Sequence, residues 1–422
     1  MNPDLYRQNS PDRFWRVLSE PEPAREDWEL AISRAAAVLP AEAWREGDQV
    51  DSILAQTLGE GQFGPGHWRL GRASEVYYAL KPVLPRSLTR RLKGWYGAHR
   101  AGAGRLGWPI ESRYVRFQFD AVRQLAGILG RPSLRFLDFW PGGSQYALVL
   151  THDIETEAGQ SFASEVADLD AAFGFRSAFN FVPERYRVDR RLMENLRERG
   201  FEIGVHGLKH DGKDFRSESE FLRRAALTNC HLHDFQAVGF RAPLTHRNPD
   251  WMQALDVEYD ASFFDTDPYE PIAGGTMSIW PFLLGRFVEL PYTLTQDYTV
   301  STVLGETTPR LWLEKVDFIR ANHGMALLNT HPDYLRHPKT WSMYSAFLEA
   351  MSSRGDHYHA LPREVARWWR ARAAAAAIQD LPEGSVAIIG ADGEISRSES
   401  ANPNGRHAAR TEDARSSAAR TA

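Results

Sequence analysis

Cysteine is nearly absent from this sequence of 422 residues, in which Cys230 is the one example. A single thiol excludes an intramolecular disulfide framework and is typical of a reducing compartment. Neither sign of charge is in large excess, since the formal net charge is −5 and the pI is about 6.3. The composition therefore gives no general attraction to nucleic acid. The N-terminus carries no basic and apolar leader, and no run approaches the ~20 apolar residues of a membrane span. These absences favour a cytoplasmic protein.

The N-terminal part of the chain, residues 1–140, is predicted to be a mostly helical, partly irregular extension. Trp28, Ile32 and Ala35 recur at helical spacing, and Pro40 predicts the end of that helix. No cluster of chemically active side chains appears in this part. The hydrophobic content of 43% is enough for a sizeable core, and the length suits one large domain with extensions.

A basic stretch lies within this extension, at residues 81–110, and contains no acidic residue. Aromatic residues are interleaved with its positive charges. Such a stretch could make peripheral contact with an anionic membrane or with a phosphorylated glycan carrier. The alternative is a solvated basic surface packed on the rest of the protein. Its charged residues are Lys81, Arg86, Arg90, Arg91, Lys93, Arg100 and Arg105.

Residues 141–372 show strand patterns that alternate with helical ones. This alternation predicts a parallel sheet, either open or closed into an irregular barrel. Composition changes again after residue 373, where alanine, serine, arginine and acidic residues dominate. Residues 373–422 are therefore predicted to be a disordered tail. The strand candidates include residues 146–150, 177–181, 202–205, 237–240, 287–290 and 326–328.

Acidic residues and histidines follow two of these strands. Asp153 and Glu155 come directly after the first apolar run, and His206 and His210 come after the strand at 202–205. Groups at the carboxyl ends of successive parallel strands converge on one crevice. Two imidazoles four positions apart can share one helix face and bind one ion. The sequence therefore predicts a metal site formed by the two histidines with an oxygen ligand from Glu155 or Asp153.

Two further residues at strand ends complete a set suited to metal-assisted hydrolysis. That chemistry needs a carboxylate to accept a proton from water and an acid to protonate the leaving group. His331 follows the strand at 326–328, which is the expected place for a general acid. Arg241, after the strand at 237–240, could pair with the base carboxylate and hold its pKa low. A purely structural ion pair is the alternative for Arg241, and a core histidine is the alternative for His331.

Together these features resemble the polysaccharide deacetylase superfamily, carbohydrate esterase family 4 and its relatives, over roughly residues 145–361. The family's first motif is an aspartate pair after a strand, and its second is H-x-x-x-H. Its third is an arginine shortly before a proline, and its last is a leucine and histidine late in the chain. The matching residues occur here in family order: Asp153 and Glu155; His206 and His210; Arg241 and Pro243; Leu328 and His331.

The resemblance implies roles for these residues. Asp153 would be the general base, Arg241 the residue that holds it, and His331 the general acid. Glu155, His206 and His210 would be the metal ligands.

The first motif also departs from the common pattern. Ile154 stands where the usual form has its metal-binding aspartate, and Glu155 replaces that residue one position later. The family's aspartate that orients the late histidine has no unique match, and Asp297, Asp265 and Asp267 are the candidates.

From these residues and the resemblance we expect a distorted (β/α) barrel and a metal-dependent enzyme. It would remove an acetyl group from an N-acetylated sugar of a glycan or glycolipid precursor, with an O-acetylated sugar as the second choice. The metal would be zinc, with cobalt, nickel or iron as alternatives. Hydrolysis of another non-peptide C–N bond is the enzymatic alternative, and a non-catalytic glycan-binding or scaffold protein is the other. The sequence does not identify the sugar or the oligomeric state.

Overall fold

A computed structural model describes residues 2–70 and 105–397 of the protein. The basic segment at 81–110 thus lies outside the described residues except for its last six positions, 105–110. Helices α1 to α13 of the described residues span Pro11–Trp15, Arg25–Ala35, Val50–Thr57, Arg113–Ile128, Glu157–Gln160, Ala163–Ala172, Arg190–Glu198, Glu218–Asp234, Pro249–Met252, Arg310–Ala321, Pro332–Leu335, Pro338–Ser352 and Pro362–Ala374. Strands β1 to β13 span Val17–Leu18, Ser133–Leu137, Tyr146–Ile154, Ala178–Phe181, Glu202–His206, Gly239–Arg241, Tyr259–Asp260, Phe282–Leu284, Phe287–Glu289, Met325–Thr330, His357–His359, Val386–Gly390 and Ile395–Arg397.

A curled, mainly parallel sheet forms the centre of the protein. Its strand order is β10-β3-β4-β5-β6-β7-β9-β8, and only the β8/β9 pair is antiparallel on this path. The chain that follows β9 returns to β10, because Leu294 forms a parallel bridge with Leu328. The amides of Thr293 and Leu294 both donate to the carbonyl of Leu327, at 3.2 and 3.1 Å. This contact closes the sheet, and the predicted distorted (β/α) barrel is confirmed.

The central strands form where the sequence supplies short apolar runs between helices. Every residue of β3, β4, β5 and β10 is buried, as expected for parallel strands covered on both faces. Because these strands run in the same direction, their carboxyl ends open at one mouth of the barrel. The polar residues at the ends of β3, β5, β6 and β10 therefore lie at one site.

A second, smaller sheet joins the two ends of the described chain. Its order is β1-β2-β12-β13, and all of its pairs are antiparallel. The predicted disorder from residue 373 is therefore wrong for residues 373–397, since β12 lies between β2 and β13. Residues 398–422 are outside the described part. Val386–Gly390 is a short apolar run of five residues whose burial alternates along the strand. Arg397 fixes the last strand through an ion pair with Asp138 at 2.6 Å.

Aromatic side chains connect the extension to the barrel. The ring of Phe14 lies 5.0 Å from that of Trp280 in the barrel. Within the extension, Phe14 lies 5.3 Å from Phe139 and Trp15 packs on Phe136 at 5.1 Å. Such contacts bury large apolar areas and fix the orientation of neighbouring elements. The extension thus shares one core with the barrel. None of the helices in the described ranges is long and apolar enough to cross a membrane.

At the end of the barrel opposite the site, Glu202 gives a pH-dependent contribution to stability. Its side chain is 1% exposed and accepts hydrogen bonds from the Tyr259 hydroxyl at 3.0 Å and the Arg363 amide at 3.1 Å. Burial raises the pKa of Glu202 to about 7. Since the folded state holds this proton more tightly than the unfolded state, the contribution is complete below about pH 4.5 and is lost as pH rises through about 7.

We expect Glu202→Gln to remove this dependence, because a neutral amide can serve both partners. Wild-type protein should lose up to about 3 kcal/mol relative to the variant between pH 5 and pH 8. Urea unfolding at the two pH values measures the difference. Identical pH profiles for the two proteins would show that Glu202 does not carry the effect.

Candidate active site

The two carboxylates of the first motif lie at the carboxyl end of β3, Asp153 within the strand and Glu155 directly after its last residue. Side chains alternate along a strand, so Asp153 and Glu155 point to one side and Ile154 to the other. Ile154 is fully buried in the hydrophobic core. The Asp-x-Glu spacing therefore still presents both carboxylates at the barrel mouth, and the displaced second acid is accommodated by strand geometry.

His152, within the same motif, belongs to a buried network on the outer face of the strand. Its Nε2 lies 2.9 Å from Asp170 Oδ2 and its Nδ1 lies 2.7 Å from the Thr330 hydroxyl. The Tyr344 hydroxyl donates to the other oxygen of Asp170 at 2.7 Å. These contacts connect β3 and β10 to the surrounding helices, away from the mouth.

The two histidines of the second motif meet through a turn and not through a helix. His206 ends β5, and the following residues form bends, so the expectation of a shared helix face is wrong. Gly207 adopts a φ of 62° and His210 a φ of 52°, which turns the chain back on itself. A Cβ at Gly207 would come within 2.5 Å of the Pro243 ring, so a side chain has no room there. The imidazole centroids lie 5.0 Å apart.

Glu155, His206 and His210 form a compact group of donor atoms. Their ligand atoms all lie within 4.8 Å of one another, and His210 Nε2 is 3.0 Å from Glu155 Oε1. Burial raises the pKa of Glu155, but His210 and the other imidazoles lower it well below its ordinary value. Burial also lowers the pKa of His206 to about 4, so this ring is neutral at pH 7.

This donor set fits a divalent metal ion. His206 Nδ1 lies 3.1 Å from the carbonyl of Arg241, which can only accept, so the proton is on Nδ1 and the lone pair of Nε2 is free. Two imidazoles and one carboxylate are a ligand set of catalytic zinc sites, where three protein ligands leave a position open.

Asp153 lies beside this group and is held by three donors. Asn180 donates to its Oδ1 at 2.8 Å and Asn329 donates to its Oδ2 at 2.9 Å. Arg241 Nη1 is 3.5 Å from both oxygens, and His206 Nδ1 is 3.9 Å from Oδ2. Burial raises the pKa of Asp153, but the neighbouring imidazoles and the Arg241 guanidinium lower it below its ordinary value. The carboxylate is therefore anionic at pH 7.

Arg241 lies under the site, and its two shortest hydrogen bonds go to partners other than Asp153. Its Nε donates to the carbonyl of Ala261 at 2.7 Å, and its Nη1 donates to the Thr151 hydroxyl at 2.9 Å. Its buried Nη2 has no hydrogen-bond partner within residues 2–70 and 105–397. The guanidinium thus contacts Asp153 only at the outer limit of hydrogen-bond distance.

His331 approaches the group from the end of β10. Its backbone amide and its Nδ1 both contact Asp297, at 2.9 and 2.7 Å, and its Nε2 is 3.9 Å from Glu155 Oε1. Burial lowers the pKa of His331, but Asp297 and the carboxylates Glu155 and Asp153 raise it to about 10. Asp297 is therefore the aspartate that orients His331. Asp265 instead pairs with Lys315 at 2.8 Å, and the Asp267 carboxylate accepts from the amide of Tyr269 at 2.7 Å.

Three polar residues of the site were not found from the sequence: Asn180, Asn329 and Thr151. Each asparagine interrupts an apolar strand, in Ala178–Phe181 and in Met325–Thr330. A polar residue within a buried strand requires a hydrogen-bond partner, and this was the signal that could have found them.

Comparison with known proteins found similarity among solved structures. No protein-family model matches the sequence, and no curated protein matches it either. One solved structure, a Mycobacterium smegmatis protein described as a "putative polysaccharide deacetylase", has 18% identity and a TM-score of 0.47, covering 55% of this chain and 93% of its own. The allantoinase PuuE has 15% identity and a TM-score of 0.45, covering 55% and 92%. A Pseudomonas aeruginosa protein described as a "probable polysaccharide deacetylase" has 14% identity and a TM-score of 0.44, covering 55% and 93%. A similar fold does not by itself fix an activity.

Proposed function

We propose that the protein is a metal-dependent hydrolase that removes an acetyl group from an N-acetylated sugar of a glycan or glycolipid precursor. One observation carries this proposal. The His/Glu donor group, a held carboxylate and an aspartate-bound imidazole meet at a single barrel mouth. These are the parts that metal-assisted amide hydrolysis requires.

Glu155, His206 and His210 would hold the metal, with zinc as the first choice and cobalt, nickel or iron as alternatives. A divalent ion bound there would act as a Lewis acid toward the amide carbonyl. His206 can serve without rotating its ring, because its Nδ1 proton is already bound by the carbonyl of Arg241.

Asp153 would be the general base. Its carboxylate is anionic and fixed on both oxygens, so an attacking water can transfer its proton to the aspartate as the new C–O bond forms. The carboxylate is not part of the donor group formed by Glu155 and the two histidines. Protonation of Asp153 would therefore not remove a ligand from the metal.

His331 would be the general acid. Its Nδ1 is held by Asp297, and its Nε2 faces the mouth near Glu155. As the C–N bond breaks, the Nε2 proton would pass to the leaving nitrogen, giving acetate and a free amine on the sugar. The Asp297 carboxylate stabilises the imidazolium before that transfer.

Two alternative functions can be distinguished from this proposal by experiment. A cyclic amide or formamide hydrolase would use the same groups on another non-peptide C–N bond. A glycan-binding scaffold would not need all five of Asp153, Glu155, His206, His210 and His331 in one place, and their convergence favours an enzyme.

A panel of acetylated saccharides, cyclic amides and formamides tests the substrate class. The protein, stripped of metal and then reloaded with zinc or cobalt, should release acetate together with one free amine per acetate. Turnover of the cyclic amide or formamide alone would favour the first alternative. Saccharide binding without turnover of any panel member would favour the scaffold.

The role of His331 gives a prediction that depends on the leaving group. We expect His331→Ala to lower turnover of an N-acetyl sugar by ~10²–10⁴-fold, since an amine must be protonated to leave. Turnover of an activated aryl acetate should fall less than about 10-fold, because its phenolate leaves without a proton. Steady-state kinetics on both substrates measure the ratio.

His323→Ala is the matched control, since His323 is also buried but contacts the carbonyl of Gln145 away from the site. Any loss in that variant should be the same on both substrates. Equal losses in His331→Ala would mean that His331 has only a structural role.

A further inference from the structure

The contacts around Asp153 differ from a simple pairing of an arginine with a base. Its shortest polar contacts come from two asparagine amides, at 2.8 and 2.9 Å, whereas Arg241 Nη1 lies 3.5 Å away. Hydrogen bonds weaken steeply toward that distance. The shortest bonds of Arg241 go instead to Ala261 and to Thr151.

The direction of the hydrogen bonds around Asn329 follows from the chemistry of its neighbours. Its amide nitrogen must face Asp153 Oδ2, because the flipped amide would place two acceptors 2.9 Å apart. Its Oδ1 then faces the Thr151 hydroxyl at 3.0 Å, a contact that needs a hydrogen from Thr151. The hydroxyl oxygen of Thr151 in turn accepts from Arg241 Nη1 at 2.9 Å, since a guanidinium can only donate.

These bonds form a chain with one polarity, from Arg241 to Thr151, to Asn329 and to Asp153. All four residues are at most 4% exposed. Hydrogen-bond chains strengthen one another in such low-dielectric surroundings. The Thr151 hydroxyl could also donate to the carbonyl of Leu328, but that distance is longer, at 3.2 Å against 3.0 Å to Asn329 Oδ1.

Asn180 holds the other oxygen of the carboxylate from the opposite side. It lies on β4 in register with Asp153. The neighbouring strand leaves it space through Gly204, where a Cβ would come within 2.1 Å of Asn180 Oδ1. The Asp153 carboxylate thus accepts one hydrogen bond from Asn180 on β4 and one from Asn329 on β10.

We infer that Thr151, Asn329 and Asn180 are positioning residues for the base, and that Arg241 acts on Asp153 mainly through the Thr151–Asn329 relay. The inference rests on the proposed function, in which Asp153 accepts the proton of the attacking water. Asn180 holds Oδ1 and the relay holds Oδ2 through Asn329, so these residues together fix the orientation of the carboxylate.

The first test is a double-variant cycle in the metal-free protein and needs no turnover. Thr151→Val removes the hydroxyl with little change of shape, and Asn329→Ala removes the amide. If the two residues form a relay, the unfolding midpoint of the double variant, in denaturant concentration, should fall by less than the sum of the decreases in the two single variants. Additive losses would overturn the relay, whatever the activity of the protein.

The second test is kinetic. Asn329→Ala and Asn180→Ala should each lower kcat by ~10–100-fold, with KM within about twofold and bound zinc unchanged. Thr151→Val should lower kcat similarly in wild-type protein and far less in the Asn329→Ala background, whereas Thr151→Ser should recover most of the loss. Asn229→Ala is the matched control, because Asn229 bonds to Ala254 and Asp256 outside the site. It should leave kcat unchanged.

The outcomes distinguish this inference from the proposed function. If wild-type protein turns over an acetylated sugar and the asparagine variants keep wild-type kcat, the positioning role is overturned while the function stands. If the loss follows the loss of zinc, the residues support the metal site and not the base. If wild-type protein turns over no substrate, the proposed function and the positioning role both fail, and the unfolding cycle then decides whether the relay exists.

Discussion

Replacing His206 or His210 with alanine should remove bound metal and turnover together while leaving the barrel folded. Each histidine contributes one nitrogen to the donor group with Glu155. Even partners outside the ligand set are typically worth 10–100-fold in metal affinity, so loss of a ligand should weaken zinc binding by more than about 100-fold. Metal content after dialysis, measured by plasma mass spectrometry beside acetate release, gives both quantities on the same sample.

His233→Ala serves as the matched control for this experiment, because His233 is an exposed histidine on α8. It should keep wild-type zinc content and turnover, and circular dichroism should show that all variants retain the fold. Stoichiometric zinc in both His206→Ala and His210→Ala would place the metal elsewhere. Wild-type protein that binds neither zinc nor cobalt after metal-replete expression would exclude a metal enzyme.

Substitutions of the two carboxylates of the first motif should affect zinc content and turnover differently. Asp153→Asn should keep stoichiometric zinc but lose ~10²–10⁴-fold of turnover, which is the usual value of general base catalysis. Glu155→Ala should lose zinc first, since Glu155 Oε1 lies 3.0 Å from His210 Nε2 within the donor group. Excess zinc should then restore part of the turnover in Glu155→Ala and none in Asp153→Asn, because only the former retains the proton acceptor.

Asp153→Ala should accompany Asp153→Asn, because an amide at this position would direct its own donor at Asn180 or Asn329. Agreement between the two variants would show that the missing proton acceptor, and not a local rearrangement, causes the loss. Zinc lost from both Asp153 variants and kept in Glu155→Ala would reverse the two roles.

The positions of the strands and of the chemically active residues could be predicted from the sequence to a large extent. The apolar runs are short and polar residues occur at their carboxyl ends, as with Asp153 near the end of β3 and His331 directly after β10. Since parallel strands open at the same end, their order along the chain was enough to predict that these residues meet. The sequence showed only that Ile154 stands where the common motif has an aspartate, and the structure shows that this side chain is buried in the core.

Contacts between distant residues could not be predicted in the same way. Asn180 and Asn329 reach Asp153 from two different strands, and only the pairing of β4 and β10 with β3 brings them together. The turn after His206 depends on Gly207 and on the space beside Pro243, which no local periodicity reports. The strand at Val386–Gly390 is stabilised by β2, more than 240 residues earlier, and its own composition does not reveal that partner.

Anomalous diffraction from crystals of the zinc-loaded protein tests the metal site most directly. We expect one strong peak at the barrel mouth, about 2.0–2.2 Å from a ring nitrogen of His206, a ring nitrogen of His210 and a carboxylate oxygen of Glu155. Asp153 should remain outside the ligand set, still bound by Asn180 and Asn329. A zinc peak that includes Asp153 in place of Glu155, or crystals with full zinc occupancy at another position and none here, would contradict this expectation.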